Sequence, residues 1–242
     1  MLLRLVMKFH AQSGIAIGPI LFVIAILAIL AAAIAAGSGS FMTGTSQESA
    51  NTLASTLMTQ ADQVKSAVTY LLDNGCDETQ LNFAYTQNDP YLPAWANPVS
   101  SAANLNAPSD GSCDVFSVKG GMPVVPMPPV NIALPTSTWY LGYWTFSADF
   151  HVAGVGSGNN LLVMATGVTQ AVCQKINAIN GISGIGPDVF GSHTIQQFTG
   201  SYNVSYSPTL NAQLTGQLQG CYNDNGRDSS GLWVYYSVLL VR

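Results

Sequence analysis

Ile15–Ala36 reads IAIGPILFVIAILAILAAAIAA, a run that holds only Gly and Pro besides apolar residue types. As a helix rising ~1.5 Å per residue, it is long enough to cross a hydrocarbon core of ~30 Å. Arg4 and Lys8 precede it, and no Lys, Arg, Asp or Glu occurs from Phe9 to Gln47. Basic residues on the N-terminal flank alone predict an N-in, C-out orientation. The rest of the chain is then expected beyond the inner face of a membrane.

Working outward, the small polar patch Gly37-Ser38-Gly39-Ser40 changes the pattern without ending it. Ala50, Ala54, Leu57, Ala61, Val64, Val68 and Leu71 recur at alternating spacings of four and three, with Gln, Thr, Asp and Lys between them. That is the apolar stripe of an amphipathic helix, expected over 46–73 and stopped by Asn74-Gly75. A helix continuous from Pro19 to Asp73 would be about 80 Å long. A hinge at 37–44 is the alternative, since each glycine there weakens a helix by ~1 kcal/mol.

Composition narrows the function classes. Charged residues are 8% of the chain and hydrophobic ones 48%, with Lys+Arg 7 against Asp+Glu 12 and a net charge of −5. Nucleic acid is excluded as a partner, because phosphate neutralisation needs clustered Lys and Arg. Disorder is excluded as well, since it needs low hydrophobicity and high charge. A surface covered by Ser, Thr, Asn, Gln and Gly is common in exported proteins.

Three readings of the N-terminal run follow. A cleaved secretory signal could use Ala33, Ala35 and Ala36, but its apolar region is usually ~7–15 residues. A plain signal anchor would hold an external domain. In the third reading, the short basic leader, Gly14 and the apolar IAIGPILFVIAILAILAA that follows resemble the N-terminus of type IV pilins and pseudopilins. The matching part is Ile24-Ala25-Ile26 followed by Ile29-Leu30-Ala31-Ala32.

That resemblance implies a leader, 1–14, cut by a prepilin peptidase between Gly14 and Ile15, with methylation of the new N-terminus. It implies a membrane and filament-core segment, 15–44, and an extracytoplasmic head, 45–242. Pro19, Phe22, Ile24, Ile26, Ile29 and Leu30 would lie on the assembly helix. The implied partners are other pilin or pseudopilin subunits, the peptidase, and the inner membrane before assembly. The implied destination is the periplasm or a cell-surface filament. One departure stands out: the family normally carries Glu at the fifth mature position, where this chain has Pro19. In the family that carboxylate offsets a neighbouring subunit's buried ammonium. Its absence resembles minor or tip subunits, and a first-turn Pro is tolerated in a helix.

The head is expected to be α+β, with the long helix packed on an antiparallel sheet. Cys76, Cys113, Cys173 and Cys221 form no CxxC pair, and only three His are present, so zinc is not expected. An even count in an exported, ion-poor domain reads as two disulfides. Three connectivities are open, of which Cys76–Cys113 with Cys173–Cys221 is favoured. The Pro-rich 123–135 cannot be a central strand. Trp139–Val152, the turn GVGSGNN and Leu161–Thr166 read as a hairpin, followed by a short helix capped by Thr169. A polar loop after Cys221 and a final strand Trp233–Val241 complete the region. This part resembles type IVb-like pilins, where a short helix carries the first Cys of the bridge.

Hidden chemistry finds little support. Asp188, Ser192 and His193 crowd one Gly/Pro loop, whereas triads draw on separate elements. His151 reads as a half-exposed strand residue. No GxSxG, HExxH, P-loop or dinucleotide fingerprint occurs. No cofactor is expected; Asn223, Asp224, Asn225 and Asp228 are the oxygen cluster to examine for calcium, although their spacing is not that of an EF-hand. The sequence thus points to a structural, non-enzymatic subunit. The competing reading is a membrane-anchored adhesin-like module, with Tyr140, Tyr143, Trp144, Tyr235 and Tyr236 as candidate contact residues.

Overall fold

A computed structural model describes residues 48–84, 103–123, 125, 144–184, 197–202, 210, 212–224 and 232–242. The chain divides into two units, Met1–Ser46 and Gln47–Arg242, and all described residues belong to the second.

Helix α1 occupies 48–73, so the expected start at 46 lies just outside the described residues. The predicted stripe is its buried side: Ala54, Leu57, Ala61, Val64 and Val68 have no exposed surface, and Leu71 has almost none. Thr52, Ser55, Thr59, Asp62, Gln63, Ser66 and Thr69 face outward. The helix stops where Gly75 takes φ 95°. The Gly75 N–H donates to Leu72 O at 3.0 Å and the Cys76 N–H to Leu71 O at 3.1 Å. This pair of bonds satisfies carbonyls that a helix end otherwise leaves bare, and only glycine adopts that backbone cheaply.

Beyond the cap, Asp77 opens a short 3-10 turn, Glu78–Gln80. Its carboxylate accepts from the Thr79 N–H, and its own N–H donates to Gln80 Oε1. The Thr79 hydroxyl and then the Thr79 amide hold the Asp77 carboxyl below its ordinary pKa.

Four strands form one antiparallel sheet: β1 (Trp144–Phe150), β2 (Asn160–Val168), β3 (Gln219–Asp224) and β4 (Leu232–Leu240), in the order β1-β2-β4-β3. Helix α2 (Gln170–Ile179) follows β2, and the Thr169 hydroxyl caps it by accepting from Val172 N. The expected hairpin and final strand are present with shifted ends. Two corrections concern this region. The expected first strand stops at Phe150, with a bulge after Ser147. Tyr222–Asp224, read as the start of a polar loop, instead pair with Val234, Trp233 and Leu232 as the edge strand β3.

Alternating residues divide the core between the two sheet faces. Trp144, Phe146, Leu161, Val163, Ala165 and Tyr235 meet the α1 stripe together with Val172, Cys173 and Ile176 of α2. On the other face Leu162, Met164, Val234, Tyr236 and Val238 join Ile182, Leu210 and Leu214. Burial on both sides explains why β2 reads as a nearly continuous apolar run. The disulfides are Cys76–Cys113 and Cys173–Cys221, with sequence separations of 37 and 48.

Candidate assembly surface

The exposed side of α1 is a candidate surface among the described residues. An open groove of about 700 Å³ runs along its first half, lined by Glu48, Asn51, Thr52, Ser55, Thr56, Thr59, Gln60 and Gln63. Glu48 is the only ionisable group in that lining. The Thr52 hydroxyl donates to Glu48 O at 3.1 Å and that of Thr56 to Thr52 O at 2.8 Å. Further along, Ser66 and Thr69 bond Asp62 O and Lys65 O in the same way. Such back-bonding turns the hydroxyl protons inward. These hydroxyls therefore need less hydration than the composition suggests, while the Glu48 carboxylate and the carboxamides of the groove keep theirs.

At the margin of this face, an exposed polar bond ties α1 to the sheet in addition to the packing of its stripe. Gln219 Nε2 donates to Asp62 Oδ1 at 2.7 Å, and the Tyr235 hydroxyl donates to Gln219 Oε1 at 3.2 Å. At the sheet edge, Asn177 of α2 acts like a missing strand residue. Its Oδ1 accepts from Cys221 N and its Nδ2 donates to Cys221 O, both at 2.8 Å, with a second bond to Gly184 O. A buried side-chain amide thus closes the backbone of β3 beside the Cys173–Cys221 bridge.

Burial raises the pKa of Tyr235 and Tyr236, and burial followed by the nearby Glu78 carboxylate raises that of Tyr202. The stability these phenols contribute is complete below the ordinary value of 10.0 and is lost as pH rises above it. The tyrosinate absorbance of these three residues and the loss of circular dichroism should therefore appear together in an alkaline titration. Ionisation of all ten tyrosines with unchanged dichroism would contradict this burial.

The candidate residues fall into three groups. Gly14, Ile15, Pro19, Phe22, Ile24, Ile26, Ile29 and Leu30 lie outside the described residues, as do Asp188, Ser192 and His193. The four cysteines are paired. Of the calcium candidates, Asn223 and Asp224 are ladder residues of β3, while Asn225 and Asp228 lie outside the described residues. Among the described residues no three His, Cys, Asp or Glu side chains gather as a metal site, and no helix is long and apolar enough to cross a membrane.

His151 follows β1, and its Nδ1–H donates to the Gly158 carbonyl at 2.8 Å. That bond ties His151 to the glycine-rich turn. The aromatic contact surface needs correction: Trp144, Tyr235 and Tyr236 are buried in the core, and Tyr140 and Tyr143 lie outside the described residues. Asn177 was the feature sequence reasoning missed, for want of any signal beyond a polar residue on the inner side of an amphipathic helix.

No protein-family model, curated protein or solved structure matches this chain.

Proposed function

We propose that this chain is a pilin-like structural subunit of a type IV pilus or a secretion pseudopilus, assembled through its apolar N-terminal helix. The observation that carries the reading is the apolar run Ile15–Ala36 placed directly after a short basic leader and Gly14. The amphipathic α1, packed by one stripe on a disulfide-bonded α+β unit, agrees with the spine-and-head layout that the resemblance implies.

In this mechanism the uncleaved chain is held in the inner membrane with its head outside. A prepilin peptidase cuts between Gly14 and Ile15. Phe22, Ile24, Ile26, Ile29 and Leu30 then exchange lipid for the same apolar side chains of neighbouring subunits. Both environments are apolar, so transfer gains little from the hydrophobic effect, and close packing between helices supplies the preference. The groove along the first half of α1 carries Glu48 as its one ionisable side chain, so little charge opposes a neighbour there. Pro19 removes the carboxylate that would pair with a neighbouring N-terminal amine, which favours a minor position over a repeating one.

Mass spectrometry of the mature protein tests this directly. A chain beginning at Ile15 is the expected result; an intact Met1, or a start near Gly37, overturns the reading. In a second arm, a chain lacking 15–36 should disappear from sheared surface fibres.

A further inference from the structure

We propose that Cys76–Cys113 is an exchangeable bridge, opened by a dithiol reductant to free the 103–123 loop from the end of α1 while Cys173–Cys221 and the sheet remain intact. The two bridges occupy opposite environments. Cys173 and Cys221 have no exposed surface and sit in the main core between α2 and β3. Cys76 is only partly buried and lies directly after the α1 cap, between the exposed Gly75 and Asp77. Attack on a disulfide needs access to one sulfur along the S–S axis, so the reagent reaches Cys76 without opening the core.

What the bridge holds also differs. The 103–123 loop is bonded chiefly to the segment next to it in space, 79–84. Asn82 N donates to Cys113 O, Val115 N to Asn82 O, and Asn82 Nδ2 to Asp114 Oδ1. Asn104 Nδ2 donates to Thr79 O and Leu81 O. These bonds keep the two segments together as a unit that Leu81, Phe83 and Val115 anchor in the main core, whereas the bridge ties its outer margin to the helix end. The loop also leaves Leu105 and Val118 at 95% and 85% exposure, so these two side chains add nothing to an anchorage that rests on Val115 and Phe116. Cutting the 173–221 bridge, by contrast, leaves α2 on the sheet through Val172, Ile176 and the Asn177 amide.

The exchange balances without another reactant. One thiolate of the dithiol attacks the Cys76 sulfur, the S–S bond breaks, and its electron pair leaves on the Cys113 sulfur, which takes a proton. The second thiol of the reductant then attacks the mixed disulfide and releases Cys76 as a thiol. The bridge has gained two electrons and two protons, and the dithiol ends as a disulfide.

The test uses the full chain in graded dithiothreitol, followed by alkylation, peptide mass spectrometry and hydrogen exchange. Cys76 and Cys113 should be alkylated about tenfold sooner than Cys173 and Cys221, or faster still. Exchange should rise in 77–84 and 103–123 while β2 and β4 stay protected. Simultaneous or reversed alkylation, or an unchanged loop after reduction, overturns the proposal. A Cys76→Ser/Cys113→Ser double variant provides the second reading: retained protection of β2 and β4 supports it, and loss of that protection overturns it.

Discussion

Val64→Asp is expected to leave the Gln47–Arg242 unit unfolded at neutral pH. Val64 has no exposed surface and lies mid-stripe in the core shared by α1, α2 and the sheet. An ionised carboxylate placed there has no cation to meet, because the stripe consists of Ala, Leu and Val. Burying an unpaired charge costs several kcal/mol, a large share of a domain's usual ~5–15 kcal/mol. Burial would raise the introduced carboxyl's pKa in the folded state. The variant should therefore be least unstable in acid and lose stability as pH rises past the unfolded value of about 4. Gln63→Asp, one residue away on the exposed face, should change stability by no more than about 0.5 kcal/mol. Thermal melts followed by circular dichroism distinguish the two. A cooperative melt for Val64→Asp near that of the unaltered protein would mean that the stripe is not packed.

Asn177→Leu should cost about 3 kcal/mol or more, although the side chains are similar in size. The carboxamide satisfies Cys221 N, Cys221 O and Gly184 O, and leucine leaves all three facing an apolar wall. Each buried group stripped of its partner costs ~1–3 kcal/mol. The change also uncovers the β3 backbone, a template for pairing with another chain. The measurement is twofold: a lowered denaturation midpoint and a rise in light scattering well before full unfolding. Gln174→Ala, on the exposed side of α2, should show neither effect. A midpoint equal to that control would show that the amide bonds are not holding the edge.

These two positions also show where sequence is informative. Val64 was legible because a helix repeats every ~3.6 residues, so a four-three spacing from Ala50 to Leu71 can face only one way. Thr169 and Asn74-Gly75 were legible too, since helix ends demand particular local chemistry. Asn177 was not. Its role is to complete a strand forty-four residues later in the chain, and no local period encodes a pairing at that distance. The same reason hid β3, whose QGCYND carries little strand preference of its own and is held by β4 and α2. The second apolar face was hidden as well, because Leu210 and Leu214 come from a stretch without periodicity. For the candidate surface, the outer face of α1 followed from the stripe, but the inward turn of its hydroxyls required coordinates.

Of the chain's three Asn-Gly dipeptides, Asn74-Gly75 and Asn180-Gly181 end α1 and α2, and Asn225-Gly226 lies outside the described residues. In a free peptide such a pair ages quickly: the glycine nitrogen closes on the asparagine carboxamide, ammonia leaves, and aspartate or its isomer remains. Here Gly75 N is engaged with Leu72 O and Gly181 N with Ala178 O, while the carboxamides donate to Tyr70 O and Ile176 O. The nucleophile and its target are therefore held apart by the bonds that end the helices. At these two sites the perishable dipeptide doubles as a helix stop, so it keeps its covalent identity for as long as the helix end stays folded.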